Sequence, residues 1–106
     1  MKIVAVTACP AGIAHTYIAA ESLERAARNR GIWIKVETQG AMGIENEISL
    51  EEARSADVVV FAADMALRKI ERFEGLPVVE TGVAEAIRNP NKVLDMALAK
   101  AQEARQ

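Results

Sequence analysis

The chain is poor in the residues that usually carry covalent and metal chemistry. It has one cysteine, Cys9, and one histidine, His15, in 106 residues. A lone cysteine closes no internal disulfide, and it excludes a Cys-x-x-Cys redox pair and a cysteine-built zinc site. Aromatics are scarce, with one Trp, one Tyr and two Phe, and the net charge is only −2. Nucleic-acid binding needs basic stripes that displace counterions from phosphates, whereas Lys and Arg are scattered here. No Gly-x-Gly-x-x-Gly follows the first apolar run, which disfavours a nucleotide or flavin module. No apolar stretch approaches the roughly 20 residues that cross a bilayer. The apolar run in the opening "MKIVAVTACP" is too brief for a signal peptide. These absences predict a cytoplasmic domain without cofactor, metal or nucleic-acid partner.

About half the residues are hydrophobic (51%) and a quarter charged (26%), which suits one domain over residues 1–106 with its own core. "KIVAVTA" (Lys2–Ala8) and "DVVVFAA" (Asp57–Ala63) are continuous apolar runs, the pattern of strands buried on both faces. In "IWIKVET" (Ile32–Thr38), Ile32, Ile34 and Val36 alternate with Trp33, Lys35 and Glu37, so one face is expected to reach solvent. "PVVE" (Pro77–Glu80) is short and opens on proline, as edge strands do.

Helical signals fill the gaps. From His15 to Gly31, the stripe Ile18, Ser22, Leu23 and Ala26 marks a buried face, and Glu21–Arg25 and Glu24–Arg28 are i, i+4 pairs. Gly31 supplies the left-handed stop. "SLEE" (Ser49–Glu52) is a capping box, and Asn89 with Pro90 opens a last helix with Val93, Leu94, Ala97, Leu98 and Ala101 inward. Ala66–Phe73 gives no clear signal. The tail "AKAQEARQ" reads either as a fraying helix end or as the start of a linker. The order implies an α/β fold: an open four-stranded parallel sheet, strand order 2-1-3-4, with right-handed crossovers putting helices on both faces.

In such a sheet the carboxyl ends of the first and third strands diverge at a switch point where ligands bind. The loop there is "VTACPAGIAHTY" (Val6–Tyr17). Cys9 ends the strand, and a helix starts within a few residues. Unpaired N–H groups at a helix start, together with the dipole, attract anions. Gly12 lets the loop curl, and Pro10 biases Cys9 toward an extended backbone. A thiol in that field favours its thiolate form. His15 can donate a hydrogen bond to a bound oxyanion or pair with the thiolate, and Thr16 adds a hydroxyl. The spacing Cys-x5-His-Thr matches the Cys-x5-Arg-Ser/Thr cradle of cysteine phosphatases, with a titratable His in place of the bidentate Arg. No Asp-Pro acid loop accompanies it. A site that forms a cysteinyl phosphate and hydrolyses it poorly is a carrier, and a low-molecular-weight phosphatase-like hydrolase is the alternative.

"VTACPAGIAHTYIAAESLE" resembles the active-site region of IIB components of the bacterial phosphoenolpyruvate-dependent sugar phosphotransferase system, fructose branch, whose motif is Cys-Pro-Thr-Gly-Ile-Ala-His-Thr. Ala11 here replaces the Thr. "KVETQGAMGIENEIS", "SADVVVFAAD" and "ERFEG" are similar to further blocks, so the resemblance covers essentially the whole chain. It implies that Cys9 takes phosphate from a phosphohistidine of a IIA protein or domain. Cys9 then passes it to a sugar held by the membrane permease IIC. It also implies that Pro10, Ala11, Gly12, Ile13, Ala14, His15 and Thr16 cradle the phosphate. Fructose leads as the sugar, with mannose or a mannosyl derivative as alternatives, and the domain is either free in the cytoplasm or tethered at the membrane through IIC. Asp64 reads either as a partner of His15 and the loop or as a cap of the next helix. The long loop Thr38–Glu47 frames a docking face or serves as a crossover, with Met42 and Ile44 as partner contacts or core.

Overall fold

The computed structural model describes residues 1–10 and 13–105, leaving aside the Ile13 side chain. The first apolar run is β1 (Lys2–Ala8), followed by α1 (Ile13–Asn29), β2 (Trp33–Gly40) and a short β3 (Gly43–Glu45). Then come α2 (Leu50–Ser55), β4 (Val58–Ala63), a 3-10 turn (Ile70–Phe73), β5 (Val78–Thr81), α3 (Val83–Arg88) and α4 (Pro90–Ala104). The sheet order is β3-β2-β1-β4-β5. β1 pairs in parallel with β2 on one side and β4 on the other, so that Thr7 sits opposite Thr38 and Ala62.

Alternation along β1 divides the core. Ile3 and Ala5 face one layer with Leu23 of α1, Val83 of α3 and Leu94 of α4. Val4 and Val6 face the other with Ile48, Ala53 of α2 and Phe73. Both faces are thus covered, as continuous apolar strands require.

The four expected strands hold their order, but the sheet has five strands and is mixed. β2 runs on to Gly40 and turns back into β3, which pairs antiparallel, Gly40 opposite Gly43. Gly43 has φ +94°, a conformation only glycine adopts freely. The Thr38–Glu47 loop is therefore largely a hairpin, and β2 is no edge strand. A three-residue strand that opens on a glycine leaves too little alternation to be read in advance.

Further differences concern single faces. Ile18 is exposed and Ser22 half-buried, while Leu23 and Ala26 are buried as expected, joined by Thr16, Ala19, Ala20 and Ala27. Glu21 and Arg25 pair, whereas Glu24 and Arg28 form no ion pair among the described residues. The helix stops as expected: Gly31 has φ +66°, and the N–H of Ile32 reaches back to the Ala27 carbonyl at 2.9 Å. Ser49 forms its box with Glu52, each side chain accepting the other's backbone N–H, at 3.0 and 2.8 Å. The Lys35 ammonium, 2.8 Å away, and the Ser49 N–H hold the Glu52 carboxyl down at about 2. Asn89 makes no cap bond to α4. Its amide donates to Glu85, because α3 occupies the residues just before it.

The largest departure is Glu37. The alternation sends it toward solvent, yet it is fully buried. Arg72, from the segment without a clear signal, grips it as a fork at 2.7 and 3.0 Å. The Ile48 N–H donates at 2.8 Å, and so does the Gln39 amide. Burial would raise the carboxyl pKa, but these donors, Arg72 first, outweigh it and leave Glu37 below the usual carboxylate range.

Candidate active site

β1 ends at Ala8, whose carbonyl accepts the Asp64 N–H at 3.1 Å, so β4 stays alongside to the strand end. Cys9 follows, half-buried, at the carboxyl edge of the sheet and just ahead of α1. No acidic residue occupies the first turn of α1, which leaves the positive end of the helix without a carboxylate of its own. Thr7 Oγ1 donates to the Thr16 carbonyl at 3.1 Å, pinning that turn to the strand.

Cys9 borders two recesses. One, of about 270 Å³, is lined by Cys9, Pro10 and Thr16 with Tyr17, Met42 and Arg68 among its walls. The other, of about 480 Å³, is lined by Cys9, His15, Ile18, Asp64, Val83 and Arg88. The expected site residues therefore separate: Pro10 and Thr16 lie on one side of the thiol and His15 on the other. Ala14 is exposed and lines neither recess. Ala11, Gly12 and the Ile13 side chain lie outside the described residues. Thr16 is only 3% exposed, and its Oγ1 has no hydrogen-bond partner among the described residues. Thr16 lines the first recess, while its hydroxyl is itself buried beneath that wall.

Asp64 serves as a cap of the next α-helix, α3. Its Oδ1 accepts the Val83 N–H at 3.4 Å at the start of α3, and it makes no hydrogen bond to His15 among the described residues. A Cβ at Gly82 would lie 3.0 Å from that oxygen and would press on the Asp64 carboxylate. Met42 is exposed on the rim, and Ile44 is half-buried in the hairpin.

Sequence reasoning missed the wall opposite α1. Tyr17 donates its hydroxyl to Glu45, tying α1 to the hairpin. The Gln39 side chain clamps residue 68, accepting its N–H at 2.8 Å and donating to its carbonyl at 2.9 Å. The signal was present in "ETQG", polar residues inside a strand, but their partners lie about thirty positions away.

Fold and site together define an open α/β domain that presents a single thiol at the carboxyl edge of its central strand, before a helix's amino end. The family model described as "PTS system, Lactose/Cellobiose specific IIB subunit" matches residues 4–96, and the chain belongs to the IIB family of the sugar phosphotransferase system. It is 46% identical over 93 residues to the fructose-like EIIB component 2 of Escherichia coli K12, covering 88% of each chain. It is 50% identical over 96 residues to the 2-O-alpha-mannosyl-D-glycerate-specific EIIABC component of the same organism, covering 91% of this chain and 15% of that one. A domain of the fructose-specific IIABC component of Borrelia burgdorferi superposes with a TM-score of 0.87 at 46% identity, over 92% of this chain and 93% of that one. IIB components are phosphotransferase domains that work with IIA and IIC components, as the fused EIIABC relative reflects. Among the described residues no helix is long and apolar enough to cross a membrane.

Proposed function

We propose that Cys9 carries the phosphoryl group between a IIA donor and a sugar bound to IIC. The thiolate attacks phosphorus in the donor's phosphohistidine. The S–P bond forms as the N–P bond breaks, and the imidazole leaves with the electron pair and takes up a proton. A sugar hydroxyl then attacks the same phosphorus, the O–P bond forms, and the S–P bond breaks to restore the thiolate. The observation that carries this reading is the half-buried Cys9 just ahead of a helix start, at a recess that Thr16 also lines. Residues Pro10–Thr16 form the phosphate cradle, and His15 donates to the phosphoryl group from the opposite recess.

Fructose is the leading sugar and a mannosyl derivative the second, since relatives of similar identity carry both names. The domain works on the cytoplasmic side, free or tethered through IIC. Incubation with a phosphorylated IIA protein of a fructose-type system should add one iodine-labile phosphoryl group at Cys9. Cys9→Ser should abolish onward transfer to sugar. Sustained hydrolysis of an aryl phosphate without partners would favour a phosphatase instead.

A further inference from the structure

We propose that Arg68 supplies the guanidinium that holds the phosphoryl group on Cys9, taking the part that an arginine inside the loop plays in cysteine phosphatases. The inference rests on the phosphocarrier reading and assigns a phosphate-contacting residue to it. The Cys-x5 loop ends on His15, so the loop itself brings no permanent cation. Arg68 lines the smaller recess together with Cys9 and Thr16. Its neighbours in the chain are committed elsewhere: Lys69 pairs with Glu47 and Arg72 with Glu37. Arg68 forms no ion pair among the described residues. Glu45, the carboxylate in that recess, accepts from Tyr17.

Its backbone is also held with unusual care. Both the N–H and the carbonyl of residue 68 are bonded to the Gln39 amide, which is itself anchored to the buried Glu37–Arg72 pair. An ion pair whose carboxylate is fully buried and whose guanidinium is nearly so is a demanding thing to build. This one fixes the segment bearing Arg68 against β2, at the recess that Cys9 also lines. Holding a donor in place before reaction is what makes a charged group effective in phosphoryl transfer.

The test compares the intact protein with Arg68→Ala and Arg68→Lys, and with Arg54→Ala as a charge-matched control on exposed α2 near the opposite sheet edge. Two readouts are used: the rate of Cys9 labelling by phosphorylated IIA, and the protection of Cys9 from iodoacetamide by inorganic phosphate. The expected result is that Arg68→Ala is still labelled at Cys9 but at least about tenfold more slowly at saturating donor, a discounted version of the loss of a preorganised oxyanion donor. Phosphate protection should disappear with it. Arg68→Lys should recover part of both, and Arg54→Ala should match the parent. Unchanged labelling and protection in Arg68→Ala would overturn the assignment and leave the carrier reading intact. A rise only in the KM for the donor, with protection preserved, would also overturn it, since Arg68 would then serve docking. If the parent protein takes no label on Cys9, both readings fall together.

Discussion

The two faces of the sheet are held by different physics. Under α1, α3 and α4 the layer is apolar apart from Thr7 and Thr16 at its carboxyl end, built from Ile3, Leu23, Val60, Leu94 and their neighbours. The face under α2 and the 3-10 turn has a smaller apolar cluster and, at its hairpin end, the buried Glu37–Arg72 pair with Gln39 and Ile48. Apolar packing is tolerant of detail and is set by periodicity. An ion pair without water is intolerant, because removing one partner strands a charge. The thiol sits where the two faces meet, one recess bordered by each.

That contrast is sharpest at Arg72. Replacing it with Met keeps the stem and leaves Glu37 buried without its cation, at an expected cost of about 3–5 kcal/mol in urea unfolding. The sign of the pH dependence gives a second check. In the parent, Glu37 has a lowered pKa, so its contribution is present above the unfolded carboxylate range and lost as pH falls through the folded value. Without Arg72, burial dominates, the carboxyl pKa rises, and protonation relieves the stranded charge. The stability gap between Arg72→Met and the parent should narrow on acidification from pH 7 to pH 4. A gap that is constant, or that widens, would show that Glu37 is not held by Arg72.

The apolar face should fail by a different rule. Leu23 is fully buried among β1, α3 and α4, and Leu23→Ala should cost about 2–5 kcal/mol through lost transfer energy and a residual cavity. This loss should not depend on pH between 4 and 7, since no carboxylate or imidazole belongs to that cluster among the described residues. Parallel pH profiles for the two variants would dissolve the distinction between the faces.

The same division explains what could be read in advance. Continuous runs at Lys2–Ala8 and Asp57–Ala63, the capping box at Ser49, the stop at Gly31 and the placement of Cys9 before a helix are all written in neighbouring residues, and the fold follows them. Glu37, Gln39, Arg68 and Arg72 were illegible because each is defined by partners far along the chain. By alternation alone Glu37 is a surface residue. Only the approach of the 66–73 segment makes it a core one. The short β3 fell below the length at which alternation carries information, and Ile18 was misplaced because the buried arc of α1 is centred on Ala19 and Leu23. The family resemblance named the "KVETQG" block without a reason for it. The clamp on residue 68 supplies one.

The smallest effect tests whether local signals act locally. Ser49→Ala removes one half of the box at the start of α2 and should cost about 1 kcal/mol. Glu52 keeps its bond to the Ser49 N–H and its contact with Lys35, so the carboxylate stays below its usual range and the cap is not lost entirely. The urea midpoint should fall with an unchanged slope, and labelling of Cys9 should keep the parent rate, because α2 leads to the amino edge of β4, away from the thiol. Slower labelling in Ser49→Ala would mean that the start of α2 communicates with the Glu37 network through Ile48, its immediate neighbour in the chain. The face bearing the ion pair would then act as one unit from α2 to the cleft, in place of two independent pieces.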